Sequence, residues 1–386
     1  MSGPLEGIRV LEFADGVPGP YCGLILADLG AEVIKAEPPD GDRSRGWRDD
    51  GLPFHLLNRG KRGVTIDLDR SASAEPALLL AAACDAVLID TDALSRWPQL
   101  TPLVSDPPGV TCRISLFGPD GPLAGLPVAE LPAQLLAEAT ASVGEPGIPG
   151  RAAVDIGSSY AGIYSAQAVL AALLAGQPGG QLIDVTLAGA LVAMRSTLWV
   201  ALSNPDEWWG FHLDSYDRPP FRGYQCADGR VYFDLRHSAS VDWDALIDEL
   251  GIADIRGDRR YPELITAGAG PGARYADAAL PVWNRAFAHR SVAEVKEIIN
   301  RYGGDVFPVN TYPELLGMEQ VAAVANVAAA GAGRPAYIRP PWDLSATPLS
   351  RESGPAPTLG TSARDALTAA GASTAQLERW AADGLL

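Results

Sequence analysis

The segment from Ala153 to Gly162, AVDIGSSYAG, brings a carboxylate and a hydroxyl close together just before a long apolar helical pattern. A serine such as Ser158 acts as a nucleophile only when a base lies beside it. The four histidines of the chain stand in no recognisable triad pattern, so the sequence identifies no such base. The other interpretation of Ser158 is a helix N-cap, because serine is favoured at that position.

Two further groups of residues were considered for ligand chemistry. The turn GVPGP follows the first apolar run, but Pro18 and Pro20 lack the backbone N–H groups that a phosphate cradle needs, so we predict a rigid turn rather than a dinucleotide site. The four cysteines are far apart, and none lies in a CxxC or Cys/His cluster. They predict buried free thiols, with neither a disulfide framework nor a metal site.

Charge and hydropathy exclude several classes of partner. The net charge of −17 over 386 residues repels polyanions, which argues against nucleic acid and acidic membranes. The N-terminal residues MSGPLEGIRVLEF show no basic or apolar signal region, and the most apolar window, residues 161–175, is too short and too polar to span a bilayer. We therefore expect a cytoplasmic protein whose ligands are small molecules.

The elements that must position these residues alternate between strands and helices. The run IRVLEF predicts a strand, YCGLILADLG a helix that ends at Gly30, and EVIKAE a second strand. The same rhythm continues through GVTIDL, an alanine-rich helix at 75–83, AVLID and GVTCRISL. This pattern is typical of an α/β fold with a Rossmann-like parallel sheet covered by helices.

The amino-acid composition changes after residue 205. Residues 206–221 are rich in aromatic residues and proline and predict a linker. Residues 222–305 predict a smaller domain, with a hairpin around Ala227-Asp228-Gly229 and two helices, VDWDALIDELG and SVAEVKEIINRYG. Residues 306–386 again show the α/β pattern of strands and helices, and a closing helix is predicted from about residue 362 to Trp380.

Several motifs in this order resemble CoA-transferase family III, the group that includes formyl-CoA transferases, carnitine-type CoA-transferases and α-methylacyl-CoA racemases. The strongest are PLEGIRVLEFADGVPGPYCGLILADLGAEVIKAEPPDGDRSRGW and LNRGKRGVTIDL. Weaker ones are ISLFGPDGPLAG, GGQLIDVTLAGAL, GYQCADGRVYFDL and PPWDLSATPLSRESGPAPTLG. The resemblance implies an interlocked dimer in which residues 1–205 and 306–386 form the large domain and 222–305 the small α+β domain.

The resemblance also implies a chemistry, in which CoA moves between acids through anhydride and thioester intermediates on one aspartate. That aspartate lies four residues before a glycine, and counting back from Gly162 gives Ser158. The nearest carboxylate is Asp155, so either Asp155 supplies the nucleophile or the site has lost this chemistry. Glu130, in PVAELPAQ, matches a second acid of the family, with a solvated helix-start carboxylate as the alternative. Ala129 occupies the place of the racemase histidine, which argues against racemisation.

For coenzyme A or an acyl-CoA, which we expect as substrate and not as a tightly bound cofactor, the resemblance implies five binding residues. They are Asn58, Lys61, Arg62, Arg96 and Arg45. Cations are needed near the phosphates of CoA in a strongly acidic protein. Solvated surface charge is the alternative, because the acidic residues Asp90 and Asp92 stand where the phosphates would approach.

Three functions remain open on this basis. The first is CoA transfer between carboxylic acids, or another reaction on acyl-CoA thioesters, by a homodimer. The second is a non-catalytic subunit that forms a heterodimer with a homologous active chain. The third is a repurposed enzyme of the same fold with different chemistry. The acid substrate lies beyond what motifs can indicate, because cleft shape decides it.

Overall fold

A computed structural model of the chain describes residues 3–137, 139–140, 150–196, 223–235, 241–266, 276–324, 327–328, 337–338, 340–342, 344–347, 349, 354–361 and 363–386. The contacts divide the chain into a first unit, Met1–Arg195 with Ala323–Leu386, and a second unit, Ser196–Ala322. The expected linker at 206–221 lies outside the described residues.

The first unit is built on a six-stranded sheet. Its strands are β1 Arg9–Phe13, β2 Glu32–Glu37, β3 Arg62–Thr65, β4 Ala86–Asp90, β5 Val110–Ser115 and β6 Gln181–Thr186. All neighbouring pairs are parallel, and the spatial order is β3-β2-β1-β4-β5-β6. The predicted parallel sheet is confirmed. In sheets wound in this way the ligand crevice lies at the carboxyl edge where the strand order reverses, here between β1 and β4.

Helices follow these strands along the chain. They are α1 Pro18–Asp28, α2 Arg48–Leu57, α3 Ala74–Ala82, α4 Thr91–Arg96, α5 Pro102–Ser105, α6 Glu130–Leu136, α7 Ile156–Ala175 and α8 Leu187–Met194. A short sheet of β10 Val327–Ala328 and β11 Tyr337–Ile338 and the helices α15 Arg364–Ala369 and α16 Thr374–Ala382 also belong to this unit.

Apolar side chains cover both faces of the sheet. Successive residues of β1 point to opposite faces: Leu11 packs in a cluster with residues of α3, and Val10 packs in another with residues of α1 and α7. Sheets covered on both faces need strands that are apolar throughout rather than alternating. This is why runs such as AVLID, which is buried along its whole length, predicted their strands correctly.

The turn GVPGP differs from our prediction. Helix α1 begins at Pro18 and not after Pro20, so the two prolines form the first helical turn. Proline is tolerated there because the first N–H groups of a helix have no intrahelical partner. The turn that the sequence predicted is confined to the residues just before Pro18.

The end of the chain packs against its beginning. Leu377, Trp380 and Leu385 lie in the same apolar cluster as Leu11 of β1. The carboxylate of Glu75 on α3 accepts a hydrogen bond of 3.2 Å from the Trp380 indole N–H. We predicted one closing helix; two form instead, separated by Gly371, whose φ of +96° ends the first, while a capping box at Ser373 starts the second.

The second unit combines a small antiparallel sheet with helices. Its described elements are β7 Tyr224–Gln225, β8 Arg230–Asp234, α9 Trp243–Leu250, α10 Glu263–Thr266, α11 Ala276–Phe287, α12 Val292–Arg301, β9 Asp305–Pro308, α13 Tyr312–Leu316 and α14 Glu319–Val324. Because β9 pairs with β8, the second unit extends past residue 305 as far as Ala322, so that the last two residues of α14 belong to the first unit.

Helix α7 is longer than the apolar window at residues 161–175, which we predicted to be too short to span a bilayer. It has 20 residues and is long and apolar enough to cross a membrane by length and composition. In the structure it packs on α1, α8, β5 and β6, and its Ala161, Ala166 and Val169 are buried. Core helices of globular proteins share these properties, and α7 is one of them.

Candidate active site

The amino end of α7 meets the start of α6 within the first unit. Asp155 immediately precedes α7, and Glu130 is the first residue of α6. The first turn of a helix leaves backbone N–H groups without intrahelical partners, and these groups attract an anion. In α7 the anion is a side chain of the same chain, the carboxylate of Glu130.

Four donors surround the Glu130 carboxylate. Its Oε1 accepts hydrogen bonds from the backbone N–H of Gly157 at 2.8 Å and from Nε2 of Gln134 at 2.6 Å. Its Oε2 accepts from both the backbone N–H and the hydroxyl of Ser158, each at 2.8 Å. The carboxylate is therefore held as a bound anion at a helix amino end, in a partly exposed position.

Ser158, which the sequence analysis considered as a nucleophile or a helix cap, donates to Glu130. Its side chain is buried, and the hydroxyl that faces Oε2 is next to a carboxylate rather than a histidine. The N-cap position of α7 belongs to Asp155 and not to Ser158. The hydrogen-bond acceptor beside the Ser158 hydroxyl is the Glu130 carboxylate.

Asp155 faces away from these donors. It makes no side-chain capping hydrogen bond to α7, and its Oδ1 instead pairs with Arg151 at 2.5 Å. About a third of its side chain, 34%, is exposed. The two carboxylates near the start of α7 thus differ: Glu130 is bound by helix donors, and Asp155 forms a surface ion pair.

The residues expected to bind CoA phosphates lie in two environments. Asn58 and Lys61 are buried together, because Nζ of Lys61 donates to Oδ1 of Asn58 at 2.8 Å, to Oε2 of Glu12 at 2.8 Å and to the carbonyl of Pro20 at 2.8 Å. All three donors of the ammonium are therefore used inside the fold. Burial outweighs the attraction of Glu12 and lowers the pKa of Lys61 to about 8.

The three arginines of that set lie nearer the surface, each beside a carboxylate. Arg45 makes a bidentate pair with Glu37, with both contacts at 2.7 Å, and its guanidinium stacks over the Phe54 ring. Arg62 contacts Glu32 at 3.3 Å.

Arg96 bridges Asp40 and Asp69, each at 3.1 Å, and its side chain is 41% exposed. Each of the five residues thus already has a partner within the chain, and the three arginines bind different carboxylates.

A buried charge network beneath the sheet edge was missed in the sequence. Glu12 of β1 accepts from Lys35 through Oε1 at 3.0 Å and from Lys61 through Oε2, and Lys35 also pairs with Asp42 at 2.8 Å. Although burial lowers the pKa of Lys35, Asp42 and Glu12 more than offset it, so that pKa is raised. Strand patterns cannot reveal such pairs because the partners come from different strands.

The carboxyl edge between β1 and β4 is also acidic. Oδ2 of Asp90 accepts from the backbone N–H of Asp15 at 3.0 Å, and its Oδ1 accepts from that of Ala93 at 2.7 Å, so Asp90 ties the two strand ends together. Burial, and then the charge of Asp42, raises the pKa of Asp15 to about 7. Burial raises the pKa of Asp90 to about 6.

No group of three or more His, Cys, Asp or Glu within the described ranges could hold a metal ion.

The carboxyl edge of the sheet also contacts the segment before Glu130. Oδ1 of Asp92 accepts from the backbone N–H of Val128 at 2.9 Å, two residues before α6 begins. Asp92 therefore positions the segment that carries the central carboxylate.

Comparisons with known proteins agree with the motifs. The family model CoA-transferase family III matches residues 5–363. The chain is 31% identical over 283 residues to the succinate–glutarate CoA-transferase of Agrobacterium fabrum, covering 67% of this chain and 69% of that protein. It is 30% identical over 276 residues to the succinyl-CoA–D-citramalate CoA-transferase of Chloroflexus aurantiacus, covering 67% of each.

A solved structure shares the fold. A CAIB/BAIF family protein from Brucella suis has a TM-score of 0.77 at 24% identity, covering 96% of this chain and all of that one (100%). Together with the family model over nearly the whole chain, these matches establish the family. The chain belongs to CoA-transferase family III.

Proposed function

We propose that this chain transfers CoA between carboxylic acids and that the Glu130 carboxylate carries the covalent intermediates. The supporting observation is its position: Glu130 lies against the first turn of α7, 2.8 Å from the backbone N–H of Ser158, the residue at which the family motif has its aspartate. A carboxylate brought from α6 then takes the place of one on α7.

In this mechanism Glu130 is the only side chain that forms covalent bonds to the substrates. The carboxylate attacks the acyl-CoA carbonyl, the carbon–sulfur bond breaks, and an acyl–glutamyl anhydride and the CoA thiolate form. The thiolate attacks the glutamyl carbonyl, which releases the first acid and leaves a glutamyl–CoA thioester. The second carboxylate attacks that thioester, which releases the thiolate and forms a second anhydride. The thiolate then attacks the acyl carbonyl of this anhydride, which forms the new acyl-CoA and restores the Glu130 carboxylate. No net proton transfer is needed.

One oxygen of Glu130 suits the attack better than the other. Three of its four donors are backbone or amide N–H groups, which are fixed in direction. The fourth, the Ser158 hydroxyl, rotates about its C–O bond and can turn away from Oε2 without moving the backbone. Oε2 is therefore the attacking oxygen, and the helix N–H groups steady the negative charge.

The substrates are small carboxylic acids and their CoA thioesters. The two relatives described above are named for succinate, glutarate and citramalate, so succinyl-CoA with glutarate is the first pair to assay. As part of the proposal, Arg45, Arg62 and Arg96 exchange a carboxylate partner for a CoA phosphate, while Asn58 and Lys61 support them from inside.

All four cysteines are free, in keeping with the cytoplasm.

We include a dimer in the proposal because the second unit leaves apolar side chains exposed. Helices α13 and α14 bury none of their residues, and Tyr312 is 77% and Leu316 52% exposed. Such surfaces usually meet another protein. Light scattering of the purified chain tests this, and a monomer at all concentrations would contradict it.

The decisive experiment compares two carboxylates. Glu130→Gln keeps the side-chain length but cannot form an anhydride, whereas Asp155→Asn removes the surface carboxylate three residues before Ser158. We expect Glu130→Gln to lose CoA exchange and Asp155→Asn to keep it. Hydroxylamine added with succinyl-CoA should convert Glu130 to a hydroxamate that peptide mass spectrometry locates. A hydroxamate on Asp155 would assign the nucleophile there instead.

A second function, the non-catalytic subunit, is favoured by one observation. A carboxylate has roughly four acceptor sites, and four donors surround Glu130, which is what a purely structural helix cap requires. If this function is correct, the lone chain shows no exchange, and adding a homologous chain with the family aspartate restores it. Exchange by the lone chain would exclude this role.

A further inference from the structure

Gln134 lies one turn after Glu130 on α6 and is fully buried, with 0% of its surface exposed. A buried amide is costly unless its donors and acceptor are all paired. Nothing in the sequence singled it out, because a glutamine in a short helix is ordinarily a surface residue. Its burial beside the proposed nucleophile makes it a candidate for a role in the reaction.

The direction of the Gln134 amide is fixed by its partners. Its Oε1 accepts from the backbone N–H of Ala152 at 3.0 Å, and that N–H can only donate. The NH₂ group must therefore face the other way, where Nε2 donates to Oε1 of Glu130 at 2.6 Å and lies 3.5 Å from the carbonyl of Val154. The amide cannot flip without leaving two buried groups unpaired.

The two oxygens of Glu130 are therefore held by different kinds of hydrogen-bond donor. Oε1 is bound by two donors that cannot rotate, the Gln134 amide and the Gly157 N–H. Oε2 is bound by one fixed donor and one hydroxyl that can turn away. A carboxylate held in this way keeps one oxygen anchored while the other is released toward a substrate.

We propose that Gln134 is the positioning residue of the Glu130 carboxylate, anchoring Oε1 so that Oε2 attacks the thioester. The inference rests on the proposed function. A misplacement of about 1 Å in a reacting group costs on the order of a hundredfold in rate. Gln134 acts through Glu130 and is not itself a catalytic residue.

Gln134 also links α6 to the segment before α7 through Ala152 and Val154, so loss of stability alone would not test the inference. The readouts must separate kcat from KM and follow pH. Gln134→Met keeps the length of the side chain and removes its hydrogen bonds. Gln134→Glu replaces the amide with a carboxyl that donates only while it is protonated.

For the test, CoA exchange from succinyl-CoA to glutarate is measured between pH 5 and 8 for both variants and for Gln167→Met, the same change at an exposed position of α7. Gln134→Met should lower kcat about tenfold to hundredfold, with KM within about threefold. Gln134→Glu should approach wild-type kcat at the acidic end and lose it as pH rises, because two adjacent carboxylates repel. Gln167→Met should match wild type.

Two results would overturn the inference. One is an unchanged kcat in Gln134→Met; the other is a Gln134→Glu profile parallel to wild type. If Gln134→Met fails to fold, the pH profile of Gln134→Glu decides alone, since each protein is its own reference. Exchange that survives in Glu130→Gln would instead defeat the proposed function and this inference with it, whereas inactive Glu130→Gln with normal Gln134→Met defeats only the inference.

Discussion

Oε2 of Glu130 lies 2.8 Å from both the backbone nitrogen and the hydroxyl oxygen of Ser158, so one residue of α7 supplies two donors to a carboxylate carried by α6. The family motif places an aspartate where Ser158 stands. Compared with the arrangement that the resemblance implies, only the carboxylate has changed helices: α7 keeps the N–H donors, and the negative charge comes from α6. This relationship makes the role of Ser158 testable apart from that of Glu130.

Ser158→Ala should leave CoA exchange within about threefold of wild type, because the hydroxyl has to leave Oε2 before attack. The free energy of unfolding should fall by about 1 kcal/mol for the lost hydrogen bond. Exchange rates and thermal unfolding check this, with Ser159→Ala, the next residue of α7, as control. Exchange that is lost in Ser158→Ala but kept in Ser159→Ala would contradict this passive role of the Ser158 hydroxyl.

The raised pKa of Asp15 predicts how stability depends on pH. Its pKa rises from the ordinary 3.8 to about 7 on folding. Between these values the folded chain keeps a proton that the unfolded chain has lost, so the free energy of unfolding falls as pH rises through this window. Asp15→Asn should flatten that fall and stabilise the chain above pH 7, by on the order of 1 kcal/mol.

Chemical denaturation at pH 4.5, 6 and 7.5 measures this effect. Asp40→Asn is the matched control, since it removes the same charge from an exposed residue near the same sheet edge, 65% exposed. It should shift stability equally at all three pH values. An Asp15→Asn curve that keeps the wild-type slope would show that another group titrates in this window.

Glu12→Gln should be among the most destabilising single changes in the first unit. Glu12 separates the buried ammonium groups of Lys35 and Lys61, and its side chain is 0% exposed. Removing its charge leaves the Lys61 ammonium without a carboxylate and Lys35 with Asp42 alone, at a cost of roughly 3–5 kcal/mol. Glu32→Gln on the neighbouring strand breaks only exposed pairs and should cost less than about 1 kcal/mol. Equal losses in the two variants would contradict the network.

Gly162→Ala tests the contact between α1 and α7. A Cβ at this position would lie 2.9 Å from the carbonyl oxygen of Pro18 and 3.0 Å from Cβ of Tyr21, so the helices must move apart. We expect a loss of about 1–3 kcal/mol and a slower exchange rate, because α7 carries the donors to Glu130. Gly46→Ala, where the added carbon meets open space, is the control. A stable Gly162→Ala would mean that the helices separate freely.

Much of the first unit could be predicted from the sequence. The apolar run AVLID predicted its strand correctly because both faces of the sheet are covered, and the ordering of strands and helices followed. The start of α1 was missed because Pro18 both breaks a strand and begins a helix. We missed the break in the closing helix because whether a glycine such as Gly371 ends a helix depends on the packing around it.

The site was less predictable, for a physical reason. Glu130, Asp155 and Ser158 were all identified as candidates, but only a structure distinguishes the carboxylate bound by helix donors from the one paired with Arg151. Gln134 was missed because burial of a polar side chain depends on segments that are 18 residues or more apart in the chain. Similarly, the partners of Lys61 come from β1, α1 and the segment just before it.

The joining of both chain ends in one core also affects how the protein is made. The apolar cluster that contains Leu11 is completed only by Trp380 and Leu385. A ribosome adds roughly 5–20 residues per second, so the face of the sheet that α3 covers lacks the contacts of Trp380 and Leu385 until long after α3 has emerged. The first unit therefore completes this core only after Leu385 has emerged, and its nascent sheet is the stage at which a chaperone would have the most surface to protect.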